Sequence, residues 1–298
     1  MVLRAVGKHG VCKQHDLVSA VGRYRVRAAL RRGELVPLWA GVLVDADRAT
    51  ELTSLAAAAL LAAGPEAAIA GPTAANFYGC ISLPTTPVHV IVPYEHWLRS
   101  RPGLVVHNGR CFEPDVEEIE GLRVLGLEAV LAQLLCTARP ADALAVADEA
   151  LSQVPEPLRA DLRSRVHARV RRREDPRGTV RGASVLDLAT GRAESPAESR
   201  LLWAVVEIGL PRPEMNWPVC DLEGVVIYRL DVAWPAFRVA VEYQGYAAHH
   251  GRDEADNARQ LDLERRGWTV IPVWAADMRD QRQLIARVRG ALTARGWR

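Results

Sequence analysis

Lysine is almost absent from this 298-residue chain. Of its 38 basic residues only Lys8 and Lys13 are lysine, and all the others are arginine. Biased codon usage produces such a ratio, so a cluster of arginines is not by itself a binding site. A strong excess of one charge is missing too. The 36 acids leave a net charge of +2, which gives little overall pull toward nucleic acid. Cysteine is scarce and scattered: Cys12, Cys80, Cys111, Cys136 and Cys220 show no C-x-x-C spacing. That argues against a structural zinc site and, with the odd count, for reduced thiols. The longest apolar run, Leu55–Ala63, stops at Gly64-Pro65, well short of the roughly 20 residues that span a bilayer. Met1–Gly10 carries Arg4 and Lys8 and has no apolar core of the secretory kind. A cytoplasmic protein without a membrane segment is the expectation. No P-loop, dinucleotide fingerprint, G-x-S-x-G or H-E-x-x-H motif occurs, which argues against nucleotide binding, serine hydrolysis and zinc proteolysis.

What is present is the composition of a folded chain, 49% hydrophobic and 25% charged. Its length predicts two or three domains. The pattern predicts an α/β fold, α+β overall. Residues 1–50 read as three short helices (Val2–His9, His15–Val21, Tyr24–Arg32) and a hairpin (Leu35–Trp39, Val42–Asp45), the order of a winged helix. The third helix carries Arg23, Arg25, Arg27, Arg31 and Arg32. In helix-turn-helix proteins the second helix of the pair enters the major groove, where arginine neutralises phosphate. Tyr24 is open to two roles, core residue or base contact. Residues 51–155 read as a mixed α/β region without chemistry, and His89, His96 and His107 have no ligand spacing there. Residues 156–184 read as a basic helix running into a flexible linker. Residues 185–298 form the last domain.

The most informative stretch is YRLDVAWPAFRVAVEYQG, residues 228–245. Two apolar-rich runs flank a Trp234-Pro235-Ala236 break, which predicts a β-hairpin. Alternation places Glu242 and Gln244 on one face. Asp231 on the first strand can then face Glu242 on the second, and two such acids can share a hard divalent cation. The opposing reading is a solvated hairpin face. Upstream, Ser195 suits an N-cap, Pro196 the first helical position and Glu198 a capping box. Downstream lie His249-His250, Arg252 and Arg259 on a helical stretch, Gly267-Trp268, a strand at Thr269–Trp274, and a helix with Leu284, Val288 and Leu292 on one face.

Taken together, Ser195-Pro196-Ala197-Glu198, Asp231-Val232-Ala233-Trp234-Pro235, Val241-Glu242-Tyr243-Gln244-Gly245, His250, Arg259 and Gly267-Trp268 resemble a domain family related to very-short-patch repair endonucleases. That family has the PD-(D/E)xK, restriction-endonuclease-like fold. The resemblance covers residues 195–292 and implies an endonuclease domain with a central mixed sheet. It implies Asp231 and Glu242 as ligands of Mg²⁺ or Mn²⁺, with Glu198 as an upstream helix acid and the Tyr243 carbonyl facing the metal. The superfamily's usual lysine is replaced by Gln244, which orients water or a phosphate oxygen but brings no charge. His249 or His250 is then the candidate general base, and His250 is the one carried forward with Asp231, Glu242, Gln244 and Glu198. Arg252 and Arg259 are candidate phosphate holders, with pairing to Asp256 or Asp262 as the alternative.

The first fifty residues resemble the winged-helix domain of AbiEi-type antitoxins from type IV toxin–antitoxin systems, most clearly in RRGELVPLWAGVLV, residues 31–44. Two functions stay open. One is a Mg²⁺-dependent endonuclease that binds duplex DNA through its N-terminal head. The other is a non-catalytic, antitoxin-like transcriptional regulator whose partner would be DNA and a cognate toxin.

Overall fold

The computed structural model describes residues 7–39, 41–109, 113–244 and 253–298. The fold is α/β, with three sheets of mixed strand direction and twelve α-helices among the described residues. The chain divides into two compact units, one ending at Leu134 and the other running from Leu135 to Arg298.

The first unit begins with β1 (Val11–Lys13), α1 (Gln14–Val21), α2 (Arg23–Arg31), β2 (Leu35–Pro37) and β3 (Val42–Asp45). The strands form an antiparallel sheet in the order β1-β3-β2. Leu17, Val26, Ala29, Leu35 and Leu43 make its core. The second and third expected helices and the hairpin are present, as α1, α2 and β2–β3. β1 had no sequence signal, because three residues between helices are too few to show a period. Of the expected helix Val2–His9, residues 1–6 lie outside the described residues, and Lys8–Gly10 is a single 3₁₀ turn.

α3 (Leu52–Ala63) is an alanine-rich helix that Gly64 ends. It packs on β1 and β3, and also on β5 (Val88–Val92) and β8 (Leu122–Leu125). These last two belong to a five-stranded sheet with β4 (Ala68–Ile69), β6 (Leu104–Asn108) and β7 (Val116–Ile119), in the order β6-β5-β4-β8-β7. α4 (Gly71–Phe77) packs on β5, and α5 (Leu127–Thr137) follows β8 across the unit boundary.

The second unit opens with α6 (Pro140–Ser152), α7 (Glu156–Arg171) and α8 (Thr179–Leu188). The expected flexible linker is confined to the few residues between α7 and α8. Gly178, in the left-handed region, makes the turn beside the Cys136 carbonyl, where a Cβ would collide. Val185, Leu186 and Leu188 then bury one face of α8, which packs on α6 and α7. A buried face of that kind offsets the ordering cost of the segment.

α9 (Pro196–Glu207) leads into a four-stranded sheet in the order β12-β11-β10-β9. Its strands are β9 (Glu214–Cys220), β10 (Val226–Trp234), β11 (Val239–Gln244) and β12 (Thr269–Trp274). β11 and β12 are parallel and the other pairs antiparallel. β9 was not legible because Pro218 interrupts it. Here it is the edge strand, the place in a sheet where proline is tolerated. α10 (Asp253–Arg265), α11 (Ala275–Arg279) and α12 (Arg282–Ala294) complete the unit. Leu284, Val288 and Leu292 bury one face of α12, as their spacing predicts. Among the described residues no helix is long and apolar enough to cross a membrane.

Candidate functional site

The β10–β11 hairpin turns through a 3₁₀ segment, Pro235–Phe237, and a left-handed Arg238. Its register pairs Val232 with Val241 and Ala233 with Ala240. One step further sets Asp231 opposite Glu242, so the two carboxylates project from the same face. Gln244 follows on that face, at the end of β11. Trp234, buried at the hairpin end, donates its indole N–H to the Pro211 carbonyl at 2.6 Å. This bond fastens the hairpin to the chain that leaves α9.

α9 delivers a third acid. Ser195 caps the helix by accepting from the Glu198 N–H at 3.3 Å, and its hydroxyl donates to Glu198 Oε1 at 2.8 Å. Glu198 Oε2 accepts from the Glu194 N–H at 2.9 Å. The capping box therefore closes one residue earlier than expected. Asp148 on α6 steadies this end of the helix. Its carboxylate accepts from Thr190 N and Gly191 N, both at 2.8 Å, and from the Ser199 hydroxyl at 2.9 Å.

Glu198, Asp231 and Glu242 interact electrostatically around Asp231. Burial pushes the Asp231 carboxyl up to about 6. The Tyr243 N–H opposes that shift, Glu198 and Glu242 add to it as like charges, and Arg259 lowers it. The Tyr243 N–H donates to Asp231 Oδ2 at 2.8 Å. Asp231 Oδ1 has no partner among the described residues. Burial also pushes Glu198 up, against its hydrogen bonds to Glu194 and Ser195.

Two residues complete the cluster in ways the sequence did not signal. Arg259 on α10 forks onto Glu242, with Nη1 to Oε2 at 2.7 Å and Nη2 to Oε1 at 2.5 Å. It also donates to the Arg229 carbonyl at 2.9 Å and lies over the Tyr228 ring, 5.5 Å from its centre. Its expected roles were phosphate holder or partner of Asp256 or Asp262. The observed partner is instead Glu242, while Asp262 pairs with Arg266 at 2.8 Å. Asn216 on β9 is the second. Its backbone sits at φ 50, an uncommon conformation for a non-glycine residue in a strand. Its side-chain amide donates to Glu198 Oε2 at 3.4 Å and to the Arg192 carbonyl. A cleft of about 580 Å³ opens beside it, lined among others by Arg159, Arg192, Arg229, Glu156 and Glu194.

Gly245, His249, His250 and Arg252 lie outside the described residues. Among those described, no three His, Cys, Asp or Glu side chains are arranged to hold a metal ion. The donors nevertheless fit a small hard cation, since Mg²⁺ is commonly held by one or two carboxylates with water completing its shell. Asp231 offers an open oxygen. Glu242 offers two, both now engaged by Arg259.

On α2, Arg23, Arg25, Arg27 and Arg31 are exposed, and Val26 and Ala29 face the core. Tyr24 is 85% exposed, which removes the core role left open for it. Arg32 is not part of this free row. It pairs with Glu34 at 2.7 and 3.1 Å. His89 and His107, eighteen residues apart, meet across the parallel β5–β6 pair at 2.9 Å with stacked rings. Burial, then the neighbouring His107, lowers His89 to about 4. The pair is therefore neutral near pH 7 and packs as part of the sheet.

The chain is 31% identical over 271 residues to two Mycobacterium tuberculosis proteins. These are "Uncharacterized protein MT2308" of strain CDC 1551 / Oshkosh and "Uncharacterized protein Rv2248" of strain ATCC 25618 / H37Rv. The match covers 89% of this chain and 95% of each of theirs. The chain belongs to the Rv2248 family. No family model matches it. Because the Rv2248 family match covers 89% of this chain, it takes in most of both units.

Proposed function

We propose that this protein is a DNA-binding, metal-dependent endonuclease, with the winged helix as its DNA-binding head and the Asp231–Glu242 hairpin as its hydrolytic centre. The observation that supports this best is the convergence of Glu198, Asp231 and Glu242 from one helix and two strands onto one place. A solvated hairpin face does not bury its acids, yet Glu198 and Glu242 are each only 6% exposed. Crowded, buried carboxylates cost stability and cluster at functional sites.

In this reading Asp231 and Glu242 hold Mg²⁺ or Mn²⁺. When bound, the cation activates water and offsets charge on the phosphate. Glu198, fixed by Ser195 and Glu194, adds negative charge beside Asp231. Gln244 orients a water by hydrogen bonding. His250 is the proposed base and Arg252 a proposed phosphate holder. Arg259, on leaving Glu242, has the fork geometry to hold a phosphate oxygen pair. Water adds to phosphorus, one P–O ester bond breaks, and the leaving oxygen takes up a proton.

A second reading is favoured by one specific observation. Arg259 already places a cation on Glu242, and Gln244 stands where the related nucleases have lysine. With the guanidinium kept there, the cluster is a structural ion pair. The chain would then act as an antitoxin-like regulator that binds DNA and a cognate toxin.

Calorimetric titration with Mg²⁺ or Mn²⁺ separates the two. The nuclease reading expects saturable binding by the wild type that disappears in Asp231→Ala/Glu242→Ala. Absence of binding with and without duplex DNA would leave the regulator. A further expectation concerns the head. Arg27→Ala/Arg31→Ala should weaken duplex binding and reduce the slope of log affinity against log salt by about 2, one for each phosphate that is no longer neutralised. An unchanged slope would remove α2 from the DNA interface.

A further inference from the structure

Both lysines of the chain stand at one cavity, in the first unit. The cavity holds about 480 Å³ and lies between β1 with the start of α1 and α3 with the turn before β8. Val11, Ala57, Leu60, Leu61 and Leu122 give it apolar walls. Lys8, Lys13 and Arg123 stand at the same cavity, and Asp16 is the one acid among its lining residues.

The placement of these cations is specific. The Lys8 ammonium is set against Gly121, in the turn between β7 and β8, where any Cβ would collide with it. His9 bonds to the Glu120 carbonyl at 3.0 Å, which docks the same segment on that turn. Arg123 donates to the Ala67 carbonyl at 3.2 Å. Neither lysine has a hydrogen-bond or ion-pair partner among the described residues. Lys8 and Lys13 are exposed and so stand at the cavity's rim, where cations beside apolar walls give the mouth a positive potential. An anion is attracted there, and an apolar body behind it buries the walls.

We propose that this cavity, whose volume lies in the range of small-molecule pockets, binds a small organic anion with an apolar body and a carboxylate head. The lysines pair with the head as point charges, a role for which a compact ammonium differs from the planar guanidinium used elsewhere in the chain. The site does not rest on the nuclease reading of the second unit.

The test is calorimetric titration of the full chain at neutral pH and low salt with octanoate, beside 1-octanol, which keeps the alkyl tail and lacks the charge. Wild type should bind octanoate saturably at one site, at least about tenfold more tightly than 1-octanol, the factor expected for one charge-assisted hydrogen bond. In Lys8→Met/Lys13→Met, which keeps the apolar stems and removes both charges, octanoate should bind no better than the alcohol. Three results would overturn the proposal: no saturable octanoate binding by wild type, equal binding of acid and alcohol, or octanoate affinity unchanged in the double variant. Binding seen only after deletion of residues 1–6 would assign the cavity to the chain's own N-terminus and overturn it as well.

Discussion

Asp231→Asn should abolish Mg²⁺-dependent cleavage and at the same time make the protein more stable at alkaline pH. Burial and two neighbouring acids hold the Asp231 carboxyl at about 6, above its ordinary value of 3.8. A carboxyl whose folded-state pKa is raised binds its proton more tightly in the folded chain than in the unfolded one. Stability therefore falls as pH rises through the window from about 4 to about 6, and the penalty is complete above it. A shift of roughly two units corresponds to about 3 kcal/mol. Asparagine keeps the acceptor for the Tyr243 N–H and carries no charge. The variant should thus gain up to about 3 kcal/mol at pH 8 and gain little at pH 4. Thermal unfolding of both proteins across that pH range measures the difference. Equal stability at pH 8 would mean that Asp231 is not desolvated as described. Undiminished cleavage would remove it from the hydrolytic centre.

Arg259→Met should produce the largest loss of stability, and its reversal by metal should distinguish the two functional readings. The Glu242 side chain is 8% exposed and its forked partner 32%. Removal of one partner of a buried pair leaves an uncompensated charge, at a cost of about 3 kcal/mol or more. If the cluster is a cation site, the vacated Glu242 oxygens and Asp231 Oδ1 should take up Mg²⁺ or Mn²⁺ more tightly than in the wild type. At a free metal concentration about 100 times the dissociation constant, binding would restore roughly 2.7 kcal/mol. Unfolding temperature measured against Mg²⁺ concentration should then rise much more steeply for the variant than for the parent. A variant that is destabilised and insensitive to either ion would make Arg259–Glu242 a structural pair and favour the regulator.

These predictions rest on partners that the sequence did not disclose. The hairpin was legible, because Trp234-Pro235-Ala236 breaks two apolar runs and alternation fixes which residues share a face. The α9 start was legible in Ser195-Pro196, and α12 in the spacing of Leu284, Val288 and Leu292. Arg259 was legible as a residue of interest and misread in its partner. Helical spacing offers Asp256 and Asp262 as neighbours, and it contains nothing about a carboxylate on a strand 17 residues earlier. Asn216 could not be found, since Pro218 hid the strand that carries it. The packed helix α8 was taken for linker because its polar, glycine-containing approach masked the apolar face behind it.

The sequence by itself determined the α/β class, the helix pair, the hairpin, and the pairing of Asp231 with Glu242 on one face. All of these follow from short-range periodicity, caps and turn residues. Only the tertiary structure decided which carboxylate oxygen stays open, which cation Glu242 holds, why Asp231 titrates near 6, and that both lysines meet at one cavity. Those properties depend on burial and on distances between residues far apart in the chain, and short-range periodicity encodes neither.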